Sequence, residues 1–161
     1  MQPRIDLMAS ETGAALAKRF GNISSVLERS TLPKPTKELV SLRVSQINGC
    51  GFCVDMHTKD AAAAGESALR LNMVAAWREA TVFTDAERAA LALAEEGTRI
   101  ADAHTGVSDE TWAAVREHYD DEQVAALIAL VGLMNAVNRF NVIARMPAGS
   151  YEPGMFERAA S

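Results

Sequence analysis

The 161-residue sequence has little of what would commit it to a membrane, to export or to nucleic acid. Its first residues, Met1 to Glu11 (MQPRIDLMASE), carry charges where a secretory signal needs an apolar run, so no export is expected. The most apolar run, Val124 to Met134, is 11 residues long and passes directly into Asn135, Asn138 and Arg139. That is short of the roughly 20 residues a bilayer span takes. Positive charge is not in excess: the net charge is −5, which argues against nucleic acid or an anionic membrane as the main partner. There is no internal repeat of fixed period, no low-complexity linker and no convincing strand. Cysteine is scarce, with 2 in the whole chain, and histidine nearly so, with 3.

What is present is ordinary for a globular protein: 48% apolar and 23% charged residues. The length suits one domain, residues 1–161, with a real core. The expected compartment is the reducing cytoplasm, where a cysteine pair two residues apart is more often catalytic or metal-binding than structural.

Apolar periodicity and capping residues predict helices throughout. Residues 11–29 read as helical, with Ala15, Leu16, Phe20, Ile23, Val26 and Leu27 turned inward and a break at Gly21-Asn22. A connector over 31–35 follows, with Pro35 suited to a first turn. Residues 36–47 are ambiguous: Val40, Leu42 and Val44 alternate as in a strand, whereas Leu39, Val40, Val44 and Ile47 fit a helix. Helix is preferred, because no other segment could pair with a strand. A helix from about Cys50 to Ala64 would stop at Gly65, and 66–80 suggests one or two short helices. Thr84 and Glu87 form a capping box opening a helix that ends near Gly106. Ser108 opens a short one through Tyr119. Asp120 and Gln123 start the last, running to about Arg145 and apolar nearly all round in its first half. The tail, 147–161, is expected to be an arm or a loose end. The fold class is therefore all-α. That excludes a thioredoxin-like scaffold, which would need a βαβ pattern beside the thiols.

The chemistry concentrates in Asn48-Gly-Cys50-Gly-Phe52-Cys53-Val-Asp55-Met56-His57. On a helix, Cys50, Cys53 and His57 fall on one narrow stripe. Two thiols one turn apart can close a disulfide with little backbone movement, and His57 is placed to take a proton from Cys53. Asn48 and Gly49 would lead into the helix, so both cysteines would lie in its first turn. There the dipole and free N–H groups favour thiolate, bringing a cysteine pKa from about 8.5 to roughly 3.5–7.5. A thiolate, a second thiol to resolve it and a nearby base make a two-cysteine redox site.

The stretch from Glu38 to Gly65, with Glu38 twelve residues before Cys50 and His57 four after Cys53, resembles the AhpD-like alkylhydroperoxidase core of the carboxymuconolactone decarboxylase superfamily. The resemblance implies an AhpD-like helical fold that assembles as a homo-oligomer, commonly a trimer or hexamer. It also implies thiol-dependent peroxidase activity on small hydroperoxides. Cys53 would attack the peroxide, Cys50 would resolve the sulfenic acid, and Glu38 and His57 would relay protons. No cofactor or metal is implied. The disulfide would be reduced by an external dithiol, in the family sometimes a lipoyl group. One departure stands out: the best-known peroxidases of the family carry histidine between the cysteines, and Phe52 occupies that position here. The change leaves the fold expectation intact and weakens that of fast peroxide turnover.

Plainer readings exist for each residue. The cysteines could be buried core thiols or half of a structural zinc site, which would need four ligands. His104 and His118 follow no ligand spacing and read as surface or capping residues. Phe52 and Met56 read as pocket wall or core, Trp77-Arg78-Glu79 as an ion pair with aromatic cover, and Asp55 and Asp60 as solvated helix faces. Two other functions compete with the peroxidase: a cofactor-free decarboxylase or lactone-processing enzyme, and a non-catalytic redox-sensing oligomer.

Overall fold

The computed structural model describes residues 2–102 and 105–155, and among these the secondary structure is entirely helical. The order is α1 (Glu11–Glu28), α2 (Lys34–Ile47), α3 (Gly51–Ala63), α4 (Ala68–Met73) with a 3-10 turn at Val74–Ala76, α5 (Asp85–Thr98), α6 (Asp109–His118) and α7 (Asp121–Ala144). The preference for helix over strand at 36–47 is met by α2.

α2 is the centre of the molecule, packing against α3, α5 and α7. Val40 and Val44 point into one apolar cluster, with Leu93, Leu127 and Leu130. Leu39 and Leu42 point into a second, with Leu71, Trp77 and Leu91. A helix buried on two sides carries apolar residues all round its axis, which is why its sequence alternates like a strand.

Local chemistry sets most boundaries. Ser10, Ser67, Thr84, Ser108 and Asp120 each cap a helix by accepting a backbone N–H, and those of α5 and α7 are full capping boxes. Asn48 and Gly49 close α2 rather than open α3: Asn48 is the C-terminal cap and Gly49 takes the left-handed conformation, φ +67°, that glycine adopts without a Cβ clash. Cys50 is then the N-terminal cap of α3.

Four expectations are corrected. α1 runs through Gly21-Asn22 without a break. Of its residues expected inward, Leu27 is buried and Phe20 half-buried, stacked edge-on against Phe140, but Ala15, Leu16, Ile23 and Val26 are exposed. α1 lies on the outside of the bundle against α7, so only its C-terminal end reaches the core. α5 ends at Thr98, well before Gly106, and Ile100 beyond it is exposed. Finally, α7 as a whole is 24 residues, long and apolar enough to cross a membrane by length and composition, unlike the shorter run within it. Here its buried residues, among them Val124, Leu127, Leu130 and Met134, pack into the core formed with α2 and α5.

The tail is also more ordered than an arm. Asp55 Oδ2 accepts the backbone N–H of Gly149 at 2.7 Å and of Tyr151 at 3.3 Å. Lys59 Nζ donates to the Tyr151 carbonyl at 2.9 Å, and the buried Tyr151 hydroxyl donates to the Asp60 carboxylate at 2.9 Å. Asp55 and Asp60 are thus the anchors of a strap, residues 147–155, laid along α3. The rest of the expected tail, 156–161, and His104 lie outside the described residues.

Candidate functional site

The α2–α3 corner brings Glu38, Cys50, Cys53 and His57 to one side of the bundle. Cys50 precedes the first turn of α3 and Cys53 is its third residue; both are free thiols, with 1% and 0% of their surface exposed. The pair behaves as one titrating unit. The Cys53 thiol donates toward Cys50 Sγ, and with the Cys53 backbone N–H this lowers the Cys50 pKa from 9.0 to about 6 against the opposing effect of burial. The same bond, burial and the Cys50 charge push the Cys53 thiol far above its ordinary value. The first-turn lowering expected of both cysteines therefore falls on Cys50, and the proton stays on Cys53.

Glu38 and His57 meet directly: Oε2 and Nδ1 are 3.0 Å apart, with side chains 15% and 13% exposed. A carboxylate at Nδ1 places the proton there, leaving Nε2 as the lone-pair nitrogen. That Nε2 is buried and has no hydrogen-bond partner among the described residues. His57 and Cys53 share a helix face but no hydrogen bond, so the direct proton transfer expected from spacing is not made in this state. The arrangement still supplies a buried base beside a dithiol.

Sequence reasoning passed over the other side of the site. Asn141 Nδ2 donates to Cys53 Sγ at 3.2 Å. Asn138, fully buried, donates to Ser45 Oγ at 3.1 Å and accepts from Asn48 Nδ2 at 3.0 Å. Asn48 Nδ2 also reaches Asn135 Oδ1 at 3.1 Å. The signal was there: Asn135, Asn138 and Asn141 recur every third residue along the most apolar helix, a polar stripe on one face. Phe52 packs on the edge of the core and meets the Tyr151 ring edge-on at 6.4 Å between centroids.

Away from the site, Arg78 lies over Trp77 at 4.4 Å and pairs with Glu95, which Arg43 holds from the other side. That matches the structural reading of the Trp77 segment, without Glu79, which is exposed. His118 is exposed at the end of α6. Among the described residues, no group of three or more His, Cys, Asp or Glu side chains is placed to hold a metal.

The sequence signature of the carboxymuconolactone decarboxylase family matches residues 11–96. YdfG of Bacillus subtilis (strain 168), an uncharacterised protein, is 42% identical over 115 residues, spanning 71% of this chain and 77% of that protein. The crystal structure of a protein of unknown function from Agrobacterium tumefaciens, with a proposed role in antioxidant defence as AhpD, superposes with a TM-score of 0.86 at 33% identity, covering 93% of this chain and all of that one. The debrominase Bmp8 in its apo form shares the fold at a TM-score of 0.74 and 19% identity, over 89% of this chain and 76% of that one.

Proposed function

Since the chain belongs to the carboxymuconolactone decarboxylase family and has the AhpD-like fold, we propose that it is a thiol-dependent peroxidase acting on small hydroperoxides. The observation that carries this reading is the Glu38–His57 couple, with its unpartnered Nε2, whose histidine lies on α3 one helical turn from the free Cys50–Cys53 pair.

In the resting pair one proton serves two sulfurs. As Cys53 attacks, its proton passes to the Cys50 thiolate across the contact that joins them. The Cys53 sulfur bonds to the distal peroxide oxygen and the O–O bond breaks, giving the sulfenic acid and an alkoxide. The alkoxide takes, through His57 Nε2, the proton that Cys50 had accepted, so Cys50 returns to thiolate while the Nδ1–H remains on Glu38. A positioned acid of this kind contributes typically about 10²–10⁴-fold. Cys50, as thiolate, then displaces hydroxide from the Cys53 sulfenic acid, which leaves as water once protonated, and the disulfide forms. The sum, with one proton from solvent, is a thiolate–thiol pair and a hydroperoxide converted to a disulfide, an alcohol and water. An external dithiol returns the pair to its reduced form, as a reducing cytoplasm would supply. Work as a homo-oligomer is part of the proposal, supported by the unpartnered apolar residues Leu16, Ile23 and Val26 of α1.

The test is peroxide consumption with a dithiol reductant, together with mass spectrometry of the thiols. Cys53→Ser should abolish turnover. Cys50→Ser should stop after one equivalent with a trappable sulfenic acid on Cys53. Sulfenic acid on Cys50 in the Cys53→Ser protein at an undiminished rate would reverse the two roles. No reaction of the wild-type thiols with stoichiometric peroxide would sink the reading, and other electron acceptors would then be the place to look, since the debrominase Bmp8 has the same fold.

A further inference from the structure

We propose that Asn141 is a catalytic residue of the cysteine site, its side-chain amide holding negative charge on Cys53 Sγ, and that Asn138 is the positioning residue that keeps the α7 side of the thiol pair polar. The inference deepens the peroxidase reading and rests on it for the step it serves, but the physical claim concerns the thiols alone.

The geometry is specific. An amide N–H pointed at sulfur at 3.2 Å stabilises a thiolate more than a thiol, because a donor to the charged form favours that form. The amide approaches from α7, across the chain from α3, so it acts on the sulfur that the helix N-terminus serves less well. Asn138, one turn before it, has no exposed surface and a partner at each end of its amide: Ser45 accepts one N–H and Asn48 donates to its oxygen. A buried polar side chain held from both ends is costly to place in an apolar helix unless its position matters. Both amides act to lower the pKa of each cysteine.

The charged groups around the pair are engaged elsewhere. On α2 and α3, Glu38 and His57 bond each other, and Arg43 is bound to Glu95. Asp55 and Lys59 pair at 2.7 Å and hold the strap. On α7, Arg139 turns back to the carbonyl and side-chain oxygens of Asn135. Neither sulfur hydrogen-bonds a charged side chain among the described residues. The amides are therefore the side chains left to carry the charge when it moves to Cys53.

The test follows the rate of iodoacetamide alkylation against pH, with the alkylated cysteine located by mass spectrometry. It needs no peroxide. In a Cys50→Ser background, which leaves Cys53 as the lone thiol and removes the coupling to Cys50, alkylation at Cys53 should fall about tenfold or more when Asn141→Leu is added, and its midpoint should move upward, since a hydrogen bond to a charged group is lost. Asn141→Asp, nearly the same size, should move the midpoint further up by placing a carboxylate against the sulfur, and it decides the matter if the leucine variant does not fold. Asn138→Ser, which keeps a polar group, should shift the profile less than Asn141→Leu. Profiles for Asn141→Leu and Asn141→Asp that overlay their Cys50→Ser parent, with unchanged melting curves, would overturn the proposal. The amide effect beside a wild type that consumes no peroxide would sink the peroxidase reading and leave this one standing.

Discussion

At the scale of single residues the site departs from expectation at Cys50, and from the pattern of the family's best-known peroxidases at Phe52. A cysteine at the cap of a helix has no turn before it, so its sulfur is free to receive the thiol and backbone N–H of Cys53, one turn on. The lowered pKa sits there for that reason, whereas Cys53 is surrounded by core and holds the proton. Phe52 contributes apolar cover to this arrangement and no proton carrier. Replacing it tests what that absence costs: Phe52→His should raise peroxide kcat/KM by about tenfold or more, because a second imidazole beside the pair shortens proton delivery to the leaving oxygen. Stopped-flow consumption of a small hydroperoxide checks this. An unchanged or lower rate would mean that protonation by the Glu38–His57 couple is already sufficient.

At the scale of elements, boundaries written in short-range chemistry are legible and buried faces are not. The capping boxes at Thr84–Glu87 and Asp120–Gln123 stand where the sequence placed them, because each needs only residues three apart. Glu87 does more than cap: Arg70 reaches it from α4 at 2.5 Å. Burial alone would push the Glu87 carboxyl upward; Arg70 and the Thr84 bonds outweigh it and hold it below the ordinary 4.5. The sign follows directly. A carboxyl with a lower pKa folded than unfolded contributes stability above the unfolded value, and that contribution fades as pH falls through the folded one. Glu87→Gln should thus cost about 1–3 kcal/mol at neutral pH. The gap to the wild type should close as pH drops below 4.5. Urea unfolding at pH 7, 5 and 3.5 measures it, and a gap that stays constant with pH would refute the assignment.

Across the whole molecule, the parts of the site come from opposite ends of the chain. The strap over 147–155 is held to α3 by Asp55, Lys59 and Asp60, and Tyr151 is buried at its centre. Tyr151→Phe removes the hydroxyl that donates to Asp60, and hydrogen exchange at residues 149–155 should quicken about tenfold, with little change in global melting. Exchange left as in the wild type would mean that the other strap contacts suffice. What the sequence determined by itself was the set of helices and the register of Cys50, Cys53 and His57 on one face; Glu38 entered only through the family resemblance. The helices and that register depend on helical periodicity and on hydrogen bonds between near neighbours. Only the tertiary structure decided that α1 leaves most of its apolar side uncovered, that Asp55 and Asp60 hold the strap rather than face water, and that the asparagine stripe of α7 ends on a sulfur. Asn141 meets Cys53 across 88 positions of sequence, and Tyr151 meets Asp55 across 96. Burial and the electrostatic surroundings of a thiol are set by such distant contacts, which leave no mark on the local pattern of either segment.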